Sequence, residues 1–140
     1  MAERRLCTFR VADLHVGIDI DRVREVLAAP AVTPVPLAPP AVSGLINLRG
    51  QILTVVDARA RLSLPPASAD RSTHVIVELA GEVVSVVVDT EDEVVDVVDD
   101  DLEPVPTTVG ESIRRCASGS YQRSPGLLVV LDVDILLANP

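Results

Sequence analysis

The apolar residues of this chain fall into many short, valine-rich stretches, and this feature limits the folds that the chain can adopt. Stretches such as 83–88 and 94–98 are only a few residues long and are separated by proline, glycine and acidic residues. Valine and isoleucine are β-branched and favour strands over helices. Phe9 and Tyr121 are the only large aromatic residues, so the core must be aliphatic. A chain of 140 residues can bury such a core as one domain.

Turn residues divide the chain into about ten predicted strands with little helix. This spacing predicts a mostly β fold made of small barrels rather than a parallel sheet. The predicted strands lie at 5–11, 14–18, after a helical turn within 19–27, twice within 44–57, and at 73–79, 82–88, 93–98, 113–117, near 121 and at 127–131. Short helices are predicted at 57–62 and 132–138, and each begins with an aspartate that can cap it.

Two proline-containing segments organise the chain. Residues 30–40 are rich in proline and predict a stiff, extended connection, because proline is excluded from central strands. The loop near residue 65 divides the chain into two similar lengths. The single domain, 1–140, is therefore predicted to contain two subdomains at about 1–64 and 70–131, either separate or interleaved, with a closing helix at 132–138. The sequence contains no evident internal repeat.

The charges are unevenly distributed. The net charge is −9, and every cation is an arginine. Residues 1–71 hold nine arginines and seven acidic residues, whereas residues 72–113 hold twelve acidic residues and no arginine. Such an acidic chain is not expected to bind nucleic acid. The acidic segment either forms a solvated face that aids solubility or directs contact with a partner of opposite charge.

The sequence predicts neither a membrane span nor a secretory signal. No apolar stretch approaches the roughly 20 residues of a transmembrane helix, and no signal-peptide pattern follows the N-terminal arginines. A cytoplasmic protein is expected, with any membrane association made through a partner.

No motif for catalysis, metal binding or a cofactor is evident. The two histidines lie in no metal or nucleophile motif, and residues 118–120 do not form a nucleophile elbow. Asp99-Asp100-Asp101 lacks the ligand spacing of a calcium loop. Two cysteines are too few for a disulfide framework or a zinc site. We therefore expect no enzymatic activity, no cofactor and no metal, and we interpret the remaining polar residues as recognition or structural groups.

The stretch GLINLRGQILTVVDAR at residues 44–59 predicts a hairpin with Arg49 and Gly50 at its tip. Gly50 can supply the positive φ of a tight turn, and the Asn47 side chain can bond to the turn backbone. Arg49 either contacts a partner through its planar guanidinium or forms a structural ion pair with Glu25 or Asp57.

The residues GLINLRGQILTVVDARARLSLP at 44–65 resemble the central signature of CheW-like domains, the adaptor modules of bacterial chemosensory systems. Segments 9–20, 23–44, 74–98 and 127–137 resemble the flanking parts of the family, so the resemblance covers nearly the whole chain. It implies a mostly β fold of two linked five-stranded SH3-like β-barrels with short helices.

The resemblance also implies a function and a set of contact residues. CheW-like adaptors bind the cytoplasmic tip of methyl-accepting chemoreceptors and the regulatory domain of the histidine kinase CheA at the same time. They reach the membrane only indirectly, through receptor arrays. We expect an apolar groove between the barrels to receive a receptor helix. The implied partner-binding residues are Val23, Glu25, Leu45, Ile46, Asn47, Leu48, Arg49 and Gly50. Asp57 and Arg59 are secondary candidates, for which helix capping and local pairing offer a structural explanation.

Departures from the family pattern leave two alternatives. Residues 110–122 are less typical of the family, Thr54 stands where proline is common, and Ala58 stands where leucine is common. One alternative is a specialised adaptor that has lost one partner surface, for example one that binds the receptor but not the kinase. The other is a small-molecule sensor that uses the cleft between the barrels. Separately from these alternatives, the charge distribution makes the acidic side at 89–103 a candidate contact for a basic partner surface.

Overall fold

A computed structural model describes residues 2–28, 30–67, 72–123 and 126–138. Within these ranges the chain forms ten β-strands, three short α-helices and two 3-10 turns. The strands are β1 (Glu3–Val11), β2 (Leu14–Asp19), β3 (Val23–Ala28), β4 (Val42–Leu48), β5 (Gln51–Asp57), β6 (Thr73–Leu79), β7 (Glu82–Val88), β8 (Thr90–Val98), β9 (Ala117–Arg123) and β10 (Gly126–Leu131). The helices are α1 (Ala58–Arg61), α2 (Glu111–Arg115) and α3 (Val133–Leu136), and the 3-10 turns are Ile20–Arg22 and Asp99–Asp101.

The strands form two five-stranded sheets, which confirms the predicted mostly β fold of two SH3-like units. Sheet A has the order β8-β1-β2-β10-β9, and sheet B has the order β3-β6-β7-β5-β4. Neither ladder of hydrogen bonds closes on itself among the described residues, so each unit is a partly open barrel. Strands from opposite edges nevertheless share one core. In sheet A, Val95 and Val97 of β8 cluster with Tyr121 of β9.

The two sheets do not correspond to the ranges 1–64 and 70–131. All five strands of sheet B lie between β2 and β8 in the chain. Sheet A consists of the β1–β2 hairpin, which precedes sheet B in the chain, and of β8, β9 and β10, which follow it. Part of the loop near residue 65 lies outside the described residues.

The two sheets repeat the same architecture. Their strand orders match position by position, with β8 in the place of β3 and β9 in the place of β4, and the pairing directions are the same. In sheet B, Thr33 precedes β4 in the chain and forms a single bridge to Leu45 of that strand. In sheet A, Glu103 precedes β9 and forms the equivalent bridge to Ser120. This structural repeat has no counterpart in the sequence.

In each sheet one strand, β5 in sheet B and β10 in sheet A, is followed by a short helix that an aspartate caps. Asp57 accepts a hydrogen bond from the Arg59 N–H at 3.0 Å, and Asp132 accepts from the N–H groups of Asp134 and Ile135 at 3.0 and 3.2 Å. These contacts confirm the two predicted helices and their caps, although α1 and α3 are shorter than predicted. Capping satisfies backbone donors that the first turn leaves free.

The strand predicted at 113–117 is wrong. Residues Glu111–Arg115 form helix α2, and β9 begins only at Ala117. Ile113 is the one buried residue of this helix, and Arg115 pairs with Glu111 at 3.1 Å, one helical turn away. A single buried side chain gives too short a pattern to distinguish a helix from a strand.

The valine-rich sequence reflects strands that are buried on both faces. Alternate residues of a strand point to opposite faces. In β1, Leu6 and Thr8 face the interior of sheet A, whereas Phe9 and Val11 pack between the two sheets. The central core between the sheets therefore contains residues of both. It is built from Phe9, Val11, Val16, Ile18, Val56, Val75, Val77, Val86, Val88, Val129 and Leu131, together with residues of the helices.

The interior of sheet B contains one buried polar pair. The imidazole Nδ1 of His74 lies 2.8 Å from the Ser85 hydroxyl, and both residues are at most 1% exposed. The equivalent pair in sheet A is Leu6 and Gly17, where a Cβ on the glycine would lie 3.2 Å from Leu6 Cδ1. A hydrogen-bonded polar pair thus fills a space in sheet B, and a leucine side chain fills the equivalent space in sheet A.

This polar pair predicts a pH dependence of stability. Burial lowers the pKa of His74, so the folded protein binds fewer protons than the unfolded chain below about pH 6.5. Stability is therefore complete above that pH and falls as the pH drops towards the lowered folded pKa. We expect the double variant His74→Leu, Ser85→Gly to show a smaller loss of unfolding free energy between pH 7 and 5 in urea titrations. An unchanged pH dependence would contradict this role of His74.

Gly44 gives a second prediction for stability. Its φ is +148°, and a Cβ would lie 2.2 Å from the Thr33 carbonyl oxygen. We expect Gly44→Ala to lower the unfolding free energy by more than about 2 kcal/mol, because the Thr33 bridge must move. Gly126→Ala is the control, since its Cβ would meet nothing within 4 Å, and we expect a change within about 0.5 kcal/mol. Equal effects of the two substitutions in chemical denaturation would refute the steric argument.

Candidate functional site

The hairpin between β4 and β5 presents Arg49 and Gly50 at its tip. Leu48 pairs with Gln51, which leaves a two-residue turn. Both turn residues have positive φ, 51° at Arg49 and 84° at Gly50, as the favoured hairpin turn requires. The Gly50 N–H donates to Asn47 Oδ1 at 2.9 Å. The predicted roles of Gly50 and Asn47 in shaping this turn are thus confirmed.

Arg49 pairs with Glu25 and not with Asp57. Its NH1 group donates to Glu25 Oε1 at 3.3 Å, and NH2 pairs with Oε2. These bonds raise the pKa of the Arg49 guanidinium above its ordinary value. Glu25 belongs to β3 and Arg49 follows β4, so the pair joins the two outer strands of sheet B across its open side. The Arg49 side chain is still 69% exposed, which leaves its guanidinium accessible.

The other predicted contact residues differ in accessibility. Asn47 is exposed, whereas Val23, Leu45 and Leu48 are half-buried. Ile46 is only 2% exposed and lies in the core of sheet B with Leu53, Val55 and Ile76. The structure therefore corrects its place in the predicted contact set. Ile46 points inward because alternate residues of β4 face opposite sides, so it supports the surface from beneath.

Ile52 is a surface residue that the sequence reasoning missed. Its side chain is 59% exposed, and it lies opposite Asn47 in the β4–β5 ladder. Leu45, two residues from Asn47, lies on the same outer face. The two-residue turn fixes this register, and a count outward from the turn would have placed Ile52 on the outer face. The hairpin therefore presents an apolar side chain beside the charged tip.

Asp57 and Arg59 lie at the other end of β5 and form structural contacts. Asp57 caps α1, and the Arg59 guanidinium donates to both oxygens of Asp89 at 2.9 and 2.6 Å and to the Pro65 carbonyl at 2.8 Å. Asp89 also accepts the Ala12 N–H at 2.8 Å. The arginine lowers the pKa of Asp89 more than burial raises it. This cluster joins both sheets and is separate from the hairpin tip.

The acidic segment is partly neutralised by arginines from the start of the chain. Because β1 pairs with β8, Arg4, Arg5 and Arg10 lie beside Asp99, Asp96 and Asp92, at 3.5, 2.9 and 3.3 Å. The separation of charge along the sequence is therefore reduced in the fold. The acidic residues of this region that have no ion pair among the described residues are Glu91, Glu93, Asp100, Asp101 and Glu103.

The described part of the chain shows no grouping of three or more His, Cys, Asp or Glu residues that could hold a metal ion. It also contains no helix that is long and apolar enough to cross a bilayer. Cys7 and Cys116 are free thiols, and burial raises the pKa of both.

Comparison with known proteins gives one consistent family. The CheW-like domain family matches residues 5–140. The chain is 33% identical over 132 residues to the chemotaxis protein CheW of Rhizobium meliloti (strain 1021), which covers 94% of this chain and 85% of that protein. It is 26% identical over 140 residues to the chemotaxis protein CheW of Treponema pallidum (strain Nichols), covering 96% and 82%.

A solved structure gives the same result. The crystal structure of the scaffolding protein TtCheW from Thermoanaerobacter tengcongensis matches with a TM-score of 0.86 and 26% identity, over 98% of this chain and 94% of that one. Fold and sequence thus define a β-barrel scaffold of the chemotaxis class, and these matches indicate no enzymatic family. The chain belongs to the CheW-like domain family.

The ion pair between Arg59 and Asp89 predicts an acid-dependent loss of stability. The folded pKa of Asp89 is lowered from the unfolded value near 3.9, so its contribution is complete at neutral pH and is lost as the pH falls below about 4. We expect Asp89→Asn to cost about 1–3 kcal/mol at pH 7 and to lose less stability than the wild type on further acidification. Asp96→Asn, which breaks an exposed pair, should change little. Equal losses in the two variants would contradict the structural role of the half-buried Asp89.

Proposed function

We propose that this protein is a chemosensory adaptor that binds the cytoplasmic tip of a chemoreceptor and the regulatory domain of a CheA-type histidine kinase at the same time. It acts by holding the two partners together, and no chemical step is required of it. In this role the protein works in the cytoplasm and is recruited to membrane receptor arrays through its partners. Membership of the CheW-like family supports the adaptor class.

The exposed hairpin tip of sheet B is the observation that carries this proposal. Arg49 is fixed by a turn that Asn47 and Gly50 shape and is oriented by Glu25, yet its guanidinium remains open to solvent. A fixed and accessible guanidinium can pair with a carboxylate or stack on a planar group. Preorganisation of this kind reduces the entropy that is lost on binding.

The surface around the tip combines this charge with apolar area. Ile52 and Leu45 lie on the outer face of the hairpin, and Val23 is half-buried at the start of β3. An amphipathic helix from a receptor tip presents an apolar face bordered by polar side chains and would find both kinds of contact here. We therefore assign Val23, Glu25, Leu45, Asn47, Leu48, Arg49, Gly50 and Ile52 to the proposed partner surface, with Ile46 beneath it.

The structure offers less support for a small-molecule sensor. The space between the two sheets is occupied by the aliphatic side chains of the central core, many of them fully buried. Ligand pockets are usually concave and carry a few convergent polar groups. The packed central core therefore does not favour a ligand site between the barrels.

Titration calorimetry tests the proposal directly. The purified protein is titrated with a receptor-tip fragment and, separately, with the kinase regulatory domain. We expect Arg49→Ala to weaken binding of at least one partner by about tenfold or more, as truncation of an interface arginine often does. Thermal unfolding should shift by less than about 3 °C, because exposed ion pairs contribute little to stability.

A matched control separates recognition from general charge effects. Arg115 is 68% exposed and pairs with a single glutamate, Glu111, much as Arg49 pairs with Glu25. Arg115→Ala removes the same charge from α2 and should leave both affinities unchanged. Wild-type binding to the receptor fragment alone would identify a specialised adaptor, and failure to bind either partner would overturn the proposal.

A further inference from the structure

We draw no further inference here: the strongest candidate, the exposed turn at residues 35–38 that precedes β4 and presents Leu37 to solvent at a φ of 61°, is an apolar surface patch, and nothing in the described part of the structure shows what covers it.

Discussion

Burial of the strands on both faces is the constraint on which the rest of this structure depends. Each sheet needs one apolar face for its own interior and a second apolar face for the central core. In that core, Phe9 and Val16 of sheet A pack with Val75 and Val86 of sheet B. The side chains on both faces must then be small enough to pack closely. Valine meets this need, because it lacks the bulk of an aromatic ring. Polar recognition groups are consequently restricted to turns, outer strands and the open sides of the sheets.

The features that depend only on neighbouring residues could be predicted from the sequence, and those that depend on strand register could not. Strands, turns and caps depend on neighbouring residues, so the hairpin at Arg49-Gly50 and the aspartate caps at Asp57 and Asp132 were predictable from local patterns. The face of a strand on which a residue lies depends on register, and for this reason Ile46 was assigned to the surface although it is buried. The helix at Glu111–Arg115 was missed because only Ile113 anchors it to the core.

Contacts between distant segments could not be predicted from one sequence. The pairing of β1 with β8 brings distant residues into register, as Arg5 and Asp96 show, which are 91 positions apart. A charge count along the chain therefore suggested a strong asymmetry that the fold cancels only in part. The pairing of Arg59 with Asp89 and the clustering of Tyr121 with buried valines of β8 follow from the same long-range topology. The structural repeat was equally hidden, because the two sheets share hydrogen-bond geometry but few side chains.

The insertion of sheet B within sheet A has a consequence for synthesis on the ribosome. Sheet B occupies one uninterrupted segment, Val23 to Val88, and can assemble as soon as that segment has emerged. The β1–β2 hairpin emerges first but gains its remaining neighbours last, since β8, β9 and β10 follow sheet B in the chain. Non-local pairing of this kind is slow to form, and unpaired apolar strands are prone to aggregate while they wait. The growing polypeptide must therefore carry the β1–β2 hairpin in an incomplete state, and sheet B offers an apolar surface on which that hairpin can pack.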